Sequence, residues 1–314
     1  MKKIRSIKIK NSRKYFFLRI LAWLAIKYVF LRNVIYIFFN IKKPLPLADV
    51  EAVYAHLDVE REAENVFLIN QVFGSHLKGN LYDIGCNFMQ FAKSVSTSFI
   101  NVYSYDANST VLEAGKKVFF SKNISPINAA VIPSNQSKTK CYLREIEGNS
   151  GLTSVVFDKN FDDSSELSDL KEIGCSYLNE ILINENSEND LLKIDIEGLE
   201  YELVSDAVFQ CNFEGIICFE SLDKSSRNKF SHIFNDKNYK FYVAKYSFSS
   251  YSGIMSDSFF KMILSLVLNN SNIDVFKSDS VDNLNYDFIP LVFCVPEKLV
   301  NSFEESLNVN FSIL

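Results

Sequence analysis

From about residue 60 onward the sequence alternates between short apolar runs and stretches with helical periodicity, and few folds accept that pattern. The apolar runs are "LYDIG" (81–85), "NVYSYD" (101–106), "ISPINAAVI" (124–132), "DLLKIDI" (190–196), "GIICFE" (215–220), "KFYVAKY" (240–246) and "FIPLVFCVP" (288–296). Between them, "STVLEAGKKVFF", "GLEYELVSDAVF" and "SSRNKFSHIF" place apolar residues on one helical face. Continuous apolar strands alternating with amphipathic helices predict an α/β fold, a largely parallel sheet with both faces covered by helices. Residues 134–165 break the rhythm: "KTKCYLREI" and "LTSVVF", separated by "EGNSG", predict a hairpin insertion. The stretch "SFSSYSGIMSDSFFKMILSLVL" (247–268) begins Ser- and Tyr-rich and turns apolar, with Ser256 as a helix cap. Its loop, with Tyr246 and Tyr251, is read as a lid; its helix, with Phe259, Phe260, Ile263 and Val267, as core or a dimer contact.

The chain divides at about residue 60 into a basic, aromatic-rich arm with its linker (1–60) and a folded domain (61–314). The first 43 residues carry twelve Lys or Arg and no acid, so the net charge of −5 makes the remainder distinctly acidic. That balance disfavours a generally basic nucleic-acid-binding protein. The run 15–41 is apolar and aromatic, but Arg19, Lys27 and Arg32 interrupt it, whereas a spanning helix needs about 20 nearly uncharged residues. Two readings lead, with a spanning arm the least favoured third. The arm lies as a helix on an anionic membrane surface, with Trp23 inserted, or it packs on its own domain or on a second copy in a homodimer. The six cysteines include no C-x-x-C pair and sit in apolar runs, as core thiols of a reducing compartment do. The expected location is the cytoplasm, on the inner membrane face if the arm binds lipid. Three histidines far apart in sequence offer neither a zinc site nor a His-centred triad.

In parallel α/β sheets the ligand lies at the carboxyl ends of the strands. Those ends carry Asp83 and Gly85, then Asp106, then Asn128, Ala129 and Ala130, then Asp195 and Glu197, then Glu220 and Ser221. Some of these acids can serve as helix caps, but acids at four strand ends point to a site, because bare carboxylates are expensive to desolvate.

The segments "LYDIGCNFMQF", "VYSYDAN", "INAAV", "DLLKIDIEGLEYELV" and "IICFES" follow one another as in the FkbM-type S-adenosylmethionine-dependent methyltransferases, and the chain resembles that family over about residues 65–296. The resemblance implies a class I methyltransferase fold, a Rossmann-like seven-stranded sheet with its last strand antiparallel. It also implies O-methylation with S-adenosylmethionine as cofactor, of a sugar hydroxyl in a surface glycan or glycolipid. The cofactor-binding residues it implies are Asp83, Gly85, Asn87, Asp106, Asn128 and Ala130. The sequence departs from the family at Met89, where the loop has a second glycine, at Asp106, where glutamate is usual, and at Asn179, where aspartate is.

The residue chemistry agrees. Gly85 permits close backbone approach, and Asp106 lies 21 residues beyond it, near the roughly 20 expected of a ribose-binding acid. Asp195 is the expected base for the acceptor hydroxyl, with Lys193 on the same side of its strand, and Glu197 and Glu220 follow as candidates. A version in which clustered carboxylates hold Mg²⁺ is less favoured than metal-free transfer. The alternative to an enzyme is a non-catalytic cofactor-fold module that recruits glycan-modifying enzymes to the membrane. A nicotinamide oxidoreductase is disfavoured because no G-x-G-x-x-G is present.

Overall fold

The structure is a computed structural model that describes residues 2–10, 48, 52, 63–75, 77–119, 121–136, 141–146, 149–157, 170–182, 187–196, 198–221, 224–234, 238–246, 270–281 and 289–307. The seven apolar runs all form strands of one sheet: β2 (Leu81–Ile84), β3 (Val102–Asp106), β4 (Ile124–Asn128), β10 (Leu191–Ile194), β11 (Ile216–Ser221), β12 (Tyr239–Tyr246) and β14 (Ile289–Pro296). The sheet also takes up β1 (Lys2–Lys10) and β13 (Asn270–Ser278), so its order is β1-β13-β12-β14-β11-β10-β2-β3-β4. Strands β4, β3, β2, β10 and β11 run parallel, and β14 is inserted antiparallel between β11 and β12. The parallel strands are continuous apolar runs because both of their faces are buried.

Alternation along each strand sends side chains to two separate cores. Leu81, Leu191, Ile216 and Phe293 pack under α1 (Ala63–Ser75), α2 (Gln90–Val95), α3 (Ser109–Phe119) and α7 (Val300–Ser306). Tyr82, Leu192, Ile217 and Val292 pack under α4 (Leu178–Leu182), α5 (Glu200–Phe209) and α6 (Lys224–Phe234).

Several expectations are corrected. The sheet has nine described strands rather than seven. The run 124–132 is two strands: the chain leaves the main sheet at Ala129, and β5 (Ala130–Ile132) pairs in parallel with β9 (Cys175–Tyr177). The insertion is a hairpin of β6 (Cys141–Ile146) and β7 (Asn149–Phe157), with a third strand, β8 (Lys171–Ile173), alongside β6. Cys141 and Cys175 are not core thiols but a disulfide that ties this hairpin to β9; Cys86, Cys211, Cys218 and Cys294 are thiols outside any disulfide. The arm is not helical at its start. Lys2–Lys10 form an edge strand antiparallel to β13, so a division of the chain at residue 60 leaves one strand of the sheet on the far side. Basic side chains suit an exposed edge because they oppose pairing with a further chain. The apolar run 15–41 and the expected lid (247–268) lie outside the described residues. Among the described residues, no helix is long and apolar enough to cross a membrane.

Candidate functional site

The chain runs from β2 outward to β3 and β4, then returns to the other side of β2 to build β10 and β11. The carboxyl ends of β2 and β10 therefore flank the point where strand order reverses, the place where such sheets open a ligand crevice. Asp83, Gly85, Asp106, Asp195 and Glu220 all come from strand ends on this side.

The loop from β2 to α2 has an unusual backbone. Gly85, Asn87 and Met89 all have positive φ, at 78°, 49° and 62°. Gly85 and Cys86 donate their N–H groups to the Tyr105 carbonyl at the end of β3, each at 3.0 Å. A Cβ on Gly85 would collide with the Asp195 backbone carbonyl. The missing side chain thus lets the β2 turn lie against the end of β10, so the close approach that Gly85 permits on this side is to the protein's own backbone. Met89 holds the left-handed conformation that a glycine would supply easily, and caps α2 with it. Its side chain is 1% exposed and belongs to the core under α1, α2 and α3. Gly115, in the middle of α3, lets the Phe88 carbonyl approach that helix where a Cβ would block it. A lone glycine inside a helical pattern is the signal that could have marked this contact.

Asp106 is held by the same loop. Its two carboxylate oxygens accept N–H groups from Asn87 and from Asn108, each at 2.8 Å. Asn108 in turn caps α3, with its side-chain oxygen accepting from Thr110 N–H at 3.0 Å; "NST" just before a helix is a cap signal that can be read in sequence. Burial pushes the Asp106 carboxyl up to about 6, against the lowering effect of the Asn108 and Asn87 N–H groups. Each carboxylate oxygen can accept more than one hydrogen bond, so Asp106 keeps acceptor capacity for a pair of vicinal hydroxyls. The Asn87 side-chain oxygen is buried with no hydrogen-bond partner, a second acceptor placed on the loop. Asn128 supports the arrangement rather than facing it: its amide donates to the Asp106 and Ala107 carbonyls at 2.9 and 3.0 Å. Ala130 is buried in β5, and its N–H is spent on the Gly174 carbonyl.

Beneath the loop lies a row of polar side chains. Ser104, Asp83 and Lys193 stand in register on β3, β2 and β10. The Lys193 ammonium is 3.2 Å from Asp83 and 2.8 Å from Asp195, and 5.0 Å from the centre of the Phe91 ring on α2. The Asp83 contact is an ion pair without hydrogen-bond alignment, and both Asp83 oxygens and the Ser104 hydroxyl are otherwise unpartnered. Burial raises the Asp83 pKa, and Lys193 opposes that rise. Asp83 is wholly buried, so it reaches a ligand only through its field or through Lys193. Asp195 is half-buried at the crevice. Ile194 pairs with Phe219, so Asp195 and half-buried Glu220 follow on neighbouring strand ends. Glu197 lies outside the described residues. Among the described residues, no group of three or more His, Cys, Asp or Glu is arranged to hold a metal ion.

No family model matches the chain, and no curated protein matches it in sequence. Solved structures that align with it include the plantazolicin methyltransferase BamL, at 11% identity over 90% of this chain and 97% of that one, with a TM-score of 0.37. The precorrin-6y C5,15-methyltransferase of Geobacter metallireducens GS-15 aligns at 12% identity over 68% and 86%, with a TM-score of 0.34. The N-methyltransferase NodS of Bradyrhizobium japonicum WM9 aligns at 12% identity over 70% and 97%, with a TM-score of 0.32. Scores of this size do not decide a fold by themselves, and topology does that here. The strand order, the reversed β14 and the β2 turn at the switch point make this a Rossmann-like α/β fold with a mixed, mostly parallel sheet.

Proposed function

We propose that the protein is an S-adenosylmethionine-dependent O-methyltransferase acting on a sugar hydroxyl of a surface glycan or glycolipid. The observation that carries this reading is Asp106, fixed by two backbone N–H groups at the end of β3 and facing the turn at Gly85. A carboxylate with spare acceptor sites suits the two hydroxyls of a ribose. Gly85, Asn87 and Asp106 would hold the cofactor, and the buried, unpartnered Asn87 oxygen offers an acceptor for one of its donor groups. When bound, S-adenosylmethionine would supply a methyl carbon on a cationic sulfur, a leaving group that an acceptor oxygen can displace.

The chain's own part is positioning and proton transfer. Asp195, half-buried at the end of β10, takes the proton of the acceptor hydroxyl, and Glu220 stands beside it on the next strand end. Donor and acceptor must be brought to about 3–3.5 Å, which the walls of the crevice between β2 and β10 would do. Lys193 already supplies Asp195 with a cation, which supports metal-free transfer over a version with Mg²⁺. The loop departure at Met89 gives little support to a non-catalytic module, because the Met89 side chain lies in the core. The glycan acceptor rests on the family resemblance. So does placement at an anionic membrane, together with the basic charge of residues 1–43.

The deciding experiment is calorimetry with S-adenosylmethionine and S-adenosylhomocysteine, followed by transfer of a labelled methyl group to glycan and glycolipid acceptors. Binding followed by label in a sugar ether is expected. No binding of either ligand would overturn the reading.

A further inference from the structure

Lys193 joins a sealed carboxylate to a half-exposed one, a link that methyl transfer alone does not require. We propose that Lys193 is a positioning residue that fixes the Asp195 carboxylate at the crevice, with Asp83 as its buried anchor. This rests on the reading of Asp195 as the proton acceptor. The three side chains run from interior to surface: Asp83 is 0% exposed, Lys193 2% and Asp195 29%. Lysine is almost never so buried without a partner, and its flexible four-carbon stem normally leaves the ammonium mobile. Here the ammonium is fixed from three sides, by Asp83, Asp195 and the Phe91 ring. Asp83 is itself set in β2, between β3 and β10, so the anchor belongs to the rigid centre of the sheet.

Asp195 differs. It is the first residue beyond β10; its backbone N–H still donates to the Ile84 carbonyl at 2.9 Å, but its side chain, unlike that of Asp83, reaches the surface. A 2.8 Å bond from Lys193 to one oxygen leaves the other oxygen in a defined direction. Groups that move protons need such support from residues that do not touch the substrate, and a displacement near 1 Å costs about 10²-fold in rate.

The test uses the full chain and two measurements. In the first, methyl transfer from S-adenosylmethionine to a panel of free hexoses and deoxyhexoses is followed for the wild type, K193M, D195N and K193M/D195N, alongside cofactor affinity. In the second, crystal structures of the wild type and K193M locate the Asp195 side chain. K193M should lower kcat about 10²-fold while cofactor affinity stays within about threefold. K193M/D195N should be no slower than D195N, because a residue that acts through Asp195 has nothing left to act on. Asp195 should be displaced or spread over rotamers in K193M and single in the wild type. If K193M fails to fold because Asp83 is left bare, D83N/K193M takes its place.

Losses that multiply in the double variant would overturn the proposal, as would an Asp195 side chain that keeps its position without Lys193. If D195N transfers methyl groups at the wild-type rate, or the wild type transfers none, the assignment of Asp195 as base fails instead. The crystal structures then still decide whether Lys193 positions it.

Discussion

Gly85 lies against the backbone carbonyl of Asp195 with no room between them for a Cβ. This contact joins the turn after β2 to the end of β10 and leaves no gap between them. Gly85→Ala meets two penalties. The φ of 78° disfavours any residue with a Cβ by about 1–2 kcal/mol, and overpacking against the carbonyl adds about 1–3 kcal/mol. Urea denaturation should show a loss of about 2–5 kcal/mol, and cofactor affinity should fall with it. A loss under about 0.5 kcal/mol, the range of a neutral surface change, would contradict the close approach.

Met89 makes the opposite case. Glycine there would remove a left-handed strain of about 1–2 kcal/mol but would also delete a buried side chain at about 2–5 kcal/mol. The second effect is larger. Met89→Gly should destabilise the protein by up to about 4 kcal/mol and leave cofactor affinity within about threefold. A variant that binds far more tightly than the wild type would show that Met89 does obstruct the loop.

Asp106 makes cofactor binding depend on pH. Burial raises its folded pKa to about 6, and only the ionised carboxylate offers acceptors to both ribose hydroxyls. Affinity should be flat above about pH 7 and fall up to tenfold per pH unit below about pH 6. Asp106→Asn should flatten that profile, and Asp106→Ala should weaken binding by about 1.5–3 kcal/mol, the range for hydrogen bonds to a charged group. Calorimetric titrations from about pH 5 to about pH 8 measure all three, and an unchanged affinity at about pH 5 would remove Asp106 from the site.

Asp195→Asn keeps the shape of the side chain but removes its basicity. Turnover should drop by about 10²–10⁴-fold, with cofactor affinity nearly unchanged. Wild-type turnover should be indifferent to a chelator; a chelator-sensitive rate would restore the Mg²⁺ version of the chemistry.

The disulfide can be checked by counting thiols. Alkylation of denatured protein prepared without reductant should modify Cys86, Cys211, Cys218 and Cys294 and spare Cys141 and Cys175. The link closes a loop with a sequence separation of 34, and by the chain-entropy model stabilises the fold by about 3–4 kcal/mol. Reduction should lower the denaturation midpoint accordingly, and six modified cysteines would contradict the pairing.

The central strands were legible in sequence because burial on both faces writes itself as an unbroken apolar run, as in "DLLKIDI" and "GIICFE". β13 was not legible. Its "NSNIDVFKS" mixes Ile273 and Val275 with polar neighbours, and its place is set by β1 and β12 on either side rather than by its own composition. The break at Ala129 inside "ISPINAAVI" was hidden because apolar residues continue through it. In the site, Asp106 could be found from its distance to Gly85. The Lys193 link to Asp83 could not be, because it depends on the register of two strands from distant parts of the chain. The close packing of Gly85 on the Asp195 backbone carbonyl is equally hidden, because it joins two segments far apart in the chain.

The pairing of β1 with β13 joins Lys10 to Asn270. During synthesis, β1 must therefore wait until the chain from Lys10 to Asn270 has been made before its partner exists. Until then "KKIRSIKIK" is a solvated basic segment, and its charge keeps it from pairing with its counterparts on neighbouring nascent chains. Closure of this edge is among the most non-local events in the fold, and such contacts form slowly because the ordering of the intervening chain comes first. A polypeptide released before residue 270 would carry the parallel centre of the sheet but lack both β13 and β14, which leaves β11 with an open edge and β12 without a partner strand, and makes prematurely terminated chains the species most exposed to aggregation.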